Sequence, residues 1–360
     1  MENKGLIFIP DISGFTRFVN ETEIEHSRLI IQELLETLIS ANSIGLEISE
    51  IEGDAILFYK FGNPPSLEAL FRQVEKMFCV FHQNLIAYDQ RRYCQCKACI
   101  STASLSLKVI SHYGEFTSYN VRNFSKLIGK DIIVAHQLLK NDIDNHEYWL
   151  VTKNLAPEKP KADLAEWMKW DSQSKQTEIG EVDFHYVQLS PLKNDLPAEP
   201  SQDFNLEDNI KIASSSKEYE TDIITLFHGS GDFNYRSRWW EGIKKVEEID
   251  PHLPRVGMRC RYVTENGETV IYSSSYHFQP QKIEFSETVE NKRSTIYFTL
   301  EKITDKKTKL TLDFYLAKKS PTHFLFKLTR KRKIQGIFSK SLENMVEVLK
   351  LIKLPHVLHA

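Results

Sequence analysis

Two aspartates and a run of thiols are the residues of this 360-residue chain whose type and spacing suit chemistry. Asp11 follows the apolar run Leu6 to Pro10, and Asp54 sits in a Gly53-Asp54 turn between two apolar strands. Carboxylates at the ends of adjacent strands can hold one or two hard divalent cations, Mg²⁺ or Mn²⁺. Between them, Ile12-Ser13-Gly14-Phe15-Thr16 enters a helix, whose amides and positive dipole end could receive a triphosphate. Taken alone, aspartates in turns more often act as caps. Cys94, Cys96 and Cys99 form C-x-C-x-x-C downstream of Cys79 and His82. Three such thiols suit Zn²⁺, with His82, Cys79 or His112 as fourth ligand. A redox-sensing thiol cluster is the competing reading.

The elements that must position these residues alternate in the first half. A strand at Leu6 to Pro10 is followed by a helix from about Ile24 to Asn42, with Ile31, Leu34, Leu35, Leu38 and Ile39 at helical spacing. Strands at Leu46 to Glu52 and Ala55 to Phe61 flank the Gly-Asp turn, and Pro64-Pro65-Ser66 opens a second long helix. A strand at Leu105 to Ile110, a loop, a helix at Asp131 to Lys140 and strands near Tyr148 to Thr152 and Val182 to Leu189 complete this half. The polar stretch Ala156 to Gly180 carries Trp167 and Trp170 and reads as a packed insertion. Prolines and acids in Pro191 to Asn205 mark the boundary, so residues 1–192 form one domain, 193–205 a linker and 206–360 a second domain.

The second half changes character. A strand at Asn209 to Ser214 precedes a helical region with Ile223, Phe227, Trp239, Trp240, Ile243 and Val246. Five period-2 strands follow between Arg259 and Ala317, and a long amphipathic helix carries Ile334, Ile337, Phe338, Leu342, Met345, Val346 and Leu349.

Composition narrows the class. A formal net charge of −3 and 41% hydrophobic residues fit a globular protein with no general attraction to nucleic acid. No apolar run reaches the roughly 18 residues needed to span a bilayer. The N-terminal apolar stretch, broken by Pro10, reads as a strand and not as a signal peptide. Five cysteines, an odd number, argue against a disulfide framework, and a cytoplasmic location is expected.

Four blocks together carry a resemblance: Pro10 to Thr16, Glu50 to Phe58, Leu107 to Glu115, and Leu127 to Asp131 with Ala135. Their order and spacing resemble the class III adenylyl and guanylyl cyclase domain over roughly residues 4–153. The resemblance implies a ferredoxin-like βαββαβ domain of the α+β class that pairs with a second chain, as a homodimer or heterodimer. It further implies that Asp11 and Asp54 are the metal-binding aspartates and that Glu50 takes a purine-reading position, its partner falling near Phe124. The family's ribose-orienting Asn aligns with Ile133, and its phosphate-stabilising Arg with Gln137. Losing such a cation costs about 10³-fold in phosphoryl transfer, so turnover is expected to be impaired. Lys108, Lys126 and Lys130 are the nearby cations that could substitute.

Over residues 206–355 the element order, with Trp239-Trp240 and Val256-Gly257, resembles the START-like helix-grip (SRPBCC, polyketide-cyclase-like) superfamily. That fold is an antiparallel sheet wrapped on a long C-terminal helix, and it implies a cavity for an apolar small molecule. Phe227, Trp240, Tyr276, Phe285, Phe298, Phe314 and Phe338 are the candidate lining residues, unless they fill the core. A ligand-sensing regulatory protein is the expected function. An active nucleotidyl cyclase, or the metal-bearing half of a heterodimeric one, is the alternative.

Overall fold

The computed structural model describes residues 3–22, 24–92, 96–122, 124–160, 164–197, 205–249, 256–318 and 323–352. The chain divides into two compact units, residues 1–89 with 97–199, and residues 90–96 with 200–360. Each combines helices with a seven-stranded sheet.

The first unit opens with β1 (Lys4–Ser13), α1 (Phe15–Glu21) and α2 (Ile24–Ser40), then β2 (Glu47–Glu52) and β3 (Ala55–Phe61). Helices α3 (Leu67–Arg91) and α4 (Lys97–Ser101) lead to β4 (Ser106–Glu115). A ribbon of β5 (Thr117–Val121) and β6 (Phe124–Ile128) precedes α5 (Lys130–Leu138) and β7 (Tyr148–Thr152), and β8 (Trp170–Thr177) and β9 (Gly180–Gln188) follow. The sheet order is β2-β3-β1-β4-β7-β9-β8. Its first four strands, with α2 and α3, form the expected βαββαβ arrangement. Two segments differ from the sequence reading. The loop after β4 is the β5–β6 ribbon, and the polar insertion contains β8, an edge strand paired to β9.

Strand alternation decides which side chains meet α5. Ile7 and Ile9 of β1 pack in one core cluster with Ile132, Ala135 and Leu138, whereas Phe8 meets Phe58 on the other face. The register places Gly114 opposite Gly5, His112 opposite Ile7, Ile110 opposite Ile9 and Lys108 opposite Asp11. The face of β4 toward α5 therefore reads Gly114, His112, Ile110, Lys108. His112 Nε2 lies 3.0 Å from Asp131 Oδ1, and Glu115 N donates to Oδ2 at 2.6 Å. The other ring nitrogen of His112 meets Thr152 Oγ1 of β7 at 2.8 Å. Burial alone would raise the Asp131 pKa, but these hydrogen bonds outweigh it and hold the carboxyl below its usual range. Room for the contact comes from Gly114, where a Cβ would lie 2.2 Å from Asp131 Cγ. The His-x-Gly and Gly-x-Asp blocks are thus two sides of one packing contact.

The second unit runs β10 (Asn209–Tyr219), α6 (Ile223–Gly231), α7 (Phe233–Trp239), β11 (Ile243–Glu248), β12 (Arg259–Thr264), β13 (Gly267–Gln279), β14 (Lys282–Val289), β15 (Ser294–Thr304), β16 (Lys307–Ala317) and α8 (His323–Leu349). The sheet is an antiparallel meander from β11 to β16, with β10 beside β16. Phe338, Leu342, Met345 and Val348 of α8 are buried in the core that the sheet shares with α6 and α7. Ile243 and Val246, read from sequence as helical, belong to β11. Gly242, at φ 86°, breaks the helix before them.

A charged residue stands at the centre of this core. Arg236 is fully buried and forks onto Glu287, at 2.6 Å to Oε1 and 2.7 Å to Oε2. It also donates to Tyr262 Oη at 3.0 Å and to the Ser230 carbonyl at 2.7 Å. Its guanidinium carbon lies 5.1 Å from the Trp239 ring centre and 5.2 Å from that of Phe298.

Two stability measurements follow from these contacts. Gly114→Ala is expected to cost about 1–3 kcal/mol or more by overpacking, lowering the urea midpoint of the first unit. Arg236→Met should destabilise the second unit by about 3–5 kcal/mol, because Glu287 is left buried and unpaired. Adding Glu287→Met should return most of that loss in the same denaturation experiment.

Candidate functional site

The alternation of β1 that buries Ile7 and Ile9 brings Asp11 next, at the strand end beyond the apolar core. The β2–β3 hairpin turns at Gly53, whose φ of 62° suits glycine, and Asp54 follows. Ile12 N donates to the Asp54 carbonyl at 3.0 Å, tying the hairpin to β1. Both aspartates line a cavity of about 730 Å³ in the first unit. The whole Ile12 to Thr16 loop lines it too. Gly14, in the left-handed region at φ 90°, turns the chain into α1. That helix stops after seven residues, so its dipole is weaker than a long helix would supply.

Burial, opposed by Lys108, raises the Asp11 pKa. Asp54 is pushed up to about 6, first by burial and then by the charge of Asp11. Two partly buried carboxylates that repel each other form an all-oxygen donor set that fits Mg²⁺ or Mn²⁺. Lys108 Nζ sits 3.2 Å from Asp11 Oδ1 and donates to the Leu139 carbonyl at 3.1 Å. It balances part of the negative charge.

The opposite wall comes from α5, through Ile132, Ile133, His136 and Gln137, with Leu139 and Lys140 just beyond. Ile133 and Gln137, the positions where the cyclase resemblance places Asn and Arg, therefore face the cavity. Gln137 Oε1 accepts from Glu178 N at 3.2 Å. The cations lining the cavity are Arg17, Lys108 and Lys140, accompanied by His136 and His146. Of the three lysines named from sequence, only Lys108 lines it. The sequence reading missed Arg17 and Lys140. Lys140 was legible as a cation one helical turn after Gln137, and Arg17 as the residue directly after the phosphate loop.

Glu50 stands outside the cavity lining and pairs with Lys126 of β6. The side chain of Phe124, expected beside it, lies outside the described residues. The residue that meets Glu50 is Lys126.

The thiol cluster is seen in part. Cys94 lies outside the described residues, and Cys96 is half-buried. Cys99 is buried, accepts from Tyr88 Oη at 3.0 Å, and has His26 Nδ1 at 3.5 Å. The imidazole beside this thiol is His26 and not His82. His82 is buried between Phe78 and Phe81, and burial with the nearby Lys193 charge lowers its pKa to about 3. His112, the other candidate ligand, is spent on Thr152 and Asp131.

In the second unit the seven candidate lining residues pack on one another. Phe285 stacks on Phe298 with centroids 4.3 Å apart, and Phe227 lies 5.6 Å from both Tyr276 and Phe285. Trp240 meets Phe298 at 6.0 Å and Phe338 at 5.7 Å, and Phe314 packs against the same cluster. Of these rings, Trp240 and Phe298 also lie against the Arg236 guanidinium. Among the described residues, no helix is long and apolar enough to cross a membrane.

A family model described as "Protein of unknown function (DUF2652)" matches residues 31–148. The chain is 29% identical to "Uncharacterized protein Rv2561/Rv2562" of Mycobacterium tuberculosis, over 48% of this chain and 79% of that protein. Among solved structures, the chain is similar to a bacterial light-regulated adenylyl cyclase, at 13% identity and TM-score 0.38, over 53% of this chain and 96% of that one. It is also similar to the guanylate cyclase domain of RhGC from Catenaria anguillulae in complex with GTP, at 14% identity and TM-score 0.36, over 52% and 97%. The catalytic core of a rhodopsin-guanylyl cyclase in complex with ATPαS matches at 14% identity and TM-score 0.37, over 52% and 96%. At such TM-scores these likenesses assign no residue a role.

The buried His82 makes a pH prediction. Its folded pKa is depressed, so its contribution is complete above about pH 6.5, the unfolded value. It is lost as pH falls toward 3, because the unfolded chain takes up a proton that the folded one refuses. His82→Gln should flatten the fall in urea midpoint between pH 6.5 and 4 relative to the parent. A parent and variant with parallel pH profiles would contradict the buried neutral ring.

Proposed function

We propose that the first unit is a nucleotidyl-cyclase-like domain that binds a nucleoside triphosphate together with Mg²⁺ or Mn²⁺. The observation that carries this reading is the convergence of Asp11 and Asp54 on one cavity that Arg17, Lys108 and Lys140 also line. Its volume of about 730 Å³ suits a ligand of nucleotide size. Asp11 and Asp54 would hold the cation, which would neutralise phosphate charge when bound. Arg17 and Lys140 would contact the outer phosphates, while Lys108 balances Asp11 and steadies the end of α5.

Turnover is proposed to be impaired. Ile133 cannot hydrogen-bond a ribose, and Gln137 carries no charge for the transition state. The chain then acts as a regulatory protein, with the second unit read as a START-like helix-grip module on its element order. The apolar ligand proposed for that module would have to displace packed rings such as Phe227 and Tyr276.

A second reading has a specific observation in its favour. Ile48 and Ile51 on β2, Val121 on β5, Ile128 on β6 and Ile133 on α5 are each more than two-fifths exposed. Such apolar side chains suit a partner chain, which could supply the missing Asn and Arg as the other half of a two-chain cyclase.

Binding of Mn·GTP and Mn·ATP to the whole chain, followed by calorimetry, tests the main reading. Lys140→Ala and Arg17→Ala should each weaken triphosphate affinity about 10-fold, near 1.4 kcal/mol, and Asp11→Asn should remove the metal dependence. A mass-spectrometric product assay separates the two readings. Cyclic nucleotide made by the parent and lost in Asp54→Asn would overturn the impaired reading.

A further inference from the structure

Glu50, Glu52 and His136 form a cluster that the nucleotide reading does not use. One ligand atom from each lies within 4.8 Å of the others. Glu50 and Glu52 are two apart on β2 and so point to the same side of the strand, while His136 comes from α5. The set therefore joins two rigid elements remote in sequence. Its carboxylates crowd each other, and the cation beside Glu50 is Lys126, whose side chain is 42% exposed. His136 Nδ1 lies 3.8 Å from Glu52 Oε2, too far for a hydrogen bond.

A divalent ion would resolve this arrangement. With metal–ligand bonds of about 2.0–2.2 Å, an ion bridges donors about 3–3.5 Å apart, which small rotamer changes would reach here. One imidazole with two carboxylates suits zinc or cobalt better than magnesium, unlike the all-oxygen pair Asp11 and Asp54. We propose that Glu50, Glu52 and His136 form a transition-metal site at the rim of the cavity, in competition with the Lys126 ammonium. Glu52 and His136 both line the cavity, so an ion held there would staple β2 to α5 along its wall. The site requires no nucleotide.

The test is a Co²⁺ titration of the full chain, without nucleotide, followed by visible absorption. Asp11→Asn/Asp54→Asn is the background, which removes the other carboxylate set. Cobalt on the cysteines would declare itself by a thiolate charge-transfer band in the near ultraviolet. The expected result is one equivalent without that band. Its affinity should fall about 10-fold or more in His136→Ala and Glu52→Gln, and rise several-fold in Lys126→Met. The rise matters most, because removing a purely structural lysine would not tighten metal binding, and circular dichroism checks that each variant is folded. Titrations of His136→Ala that match the background, or an unchanged affinity in Lys126→Met, would overturn the proposal. Either failure leaves the Asp11 and Asp54 site untouched, since no triphosphate takes part.

Discussion

Helix α5 is held at both ends by one strand, and the cavity depends on that. At its start the Asp131 carboxylate is buried against His112 and the Glu115 amide. Just beyond its end, the Leu139 carbonyl accepts from Lys108, a cation at the negative end of the helix dipole. His112 and Lys108 are four residues apart on the same face of β4, with Ile110 buried between them. Charge-assisted hydrogen bonds of this kind contribute about 1.5–3 kcal/mol each, and here they also set position. Ile132, Ile133, His136 and Gln137 form the cavity wall because α5 cannot slide along the strand. The glycine at 114 is the steric condition for the whole clamp, since any side chain there would occupy the space of Asp131.

The two units treat buried charge in opposite ways. In the second, Arg236 and Glu287 satisfy each other beside aromatic rings, and both are buried. Such a pair adds little net stability but is costly to break, which marks it as part of the core. In the first, Asp11 and Asp54 are only partly compensated and stand at the wall of a cavity. Burial and mutual repulsion both resist their ionisation. A cation entering there gains the full attraction of two carboxylates that the protein itself leaves underpaired. The same physical term, desolvation, thus accompanies a paired core in one unit and an underpaired carboxylate pair at a cavity wall in the other.

Much of the first unit was legible because its motifs are packing contacts. Gly53-Asp54, His112-x-Gly114 and Gly129-x-Asp131 each have a particular neighbour, and their order carried the cyclase resemblance that implied the topology. Strand β8 was not legible. Its sequence, Asp171-Ser172-Gln173-Ser174-Lys175, is polar because an edge strand exposes both faces, and it is tied to β9 by the ladder and by polar pairs such as Ser172 with His185 and Ser174 with Glu181, which leave no apolar alternation to read. Strand β11 was assigned to the preceding helical region because Ile243 and Val246 keep a three-residue spacing that fits a helix and not a regular strand; the strand has a register irregularity between Ile243 and Lys245, and Gly242 was the missed stop signal. Arg236 gave no signal either: a single arginine among aromatics reads as a surface residue until the fold folds Glu287 against it. The seven aromatics of the second unit were found as a group. Residue type shows only that these rings belong together, and the ring contacts between Phe285 and Phe298 and between Phe227 and Tyr276 bear that out.

Position 137 shows what the departure from the cyclase pattern means physically. A guanidinium there would offer two donors in a fixed fork, suited to charge that develops on a phosphate during transfer. Gln137 is neutral, and its side-chain oxygen is taken by the Glu178 amide. Lys140 restores a positive charge one turn further along the chain, but as a flexible point charge without the fork. On the function proposed above, a lysine in that place would offer charge to a triphosphate without the fork that matches a transferring phosphoryl group. Interactions that are equal in both states strengthen binding and leave the rate of the chemical step unchanged. In that proposed function, the cations lining this cavity, Arg17, Lys108 and Lys140, would serve to hold a nucleotide more than to speed its turnover.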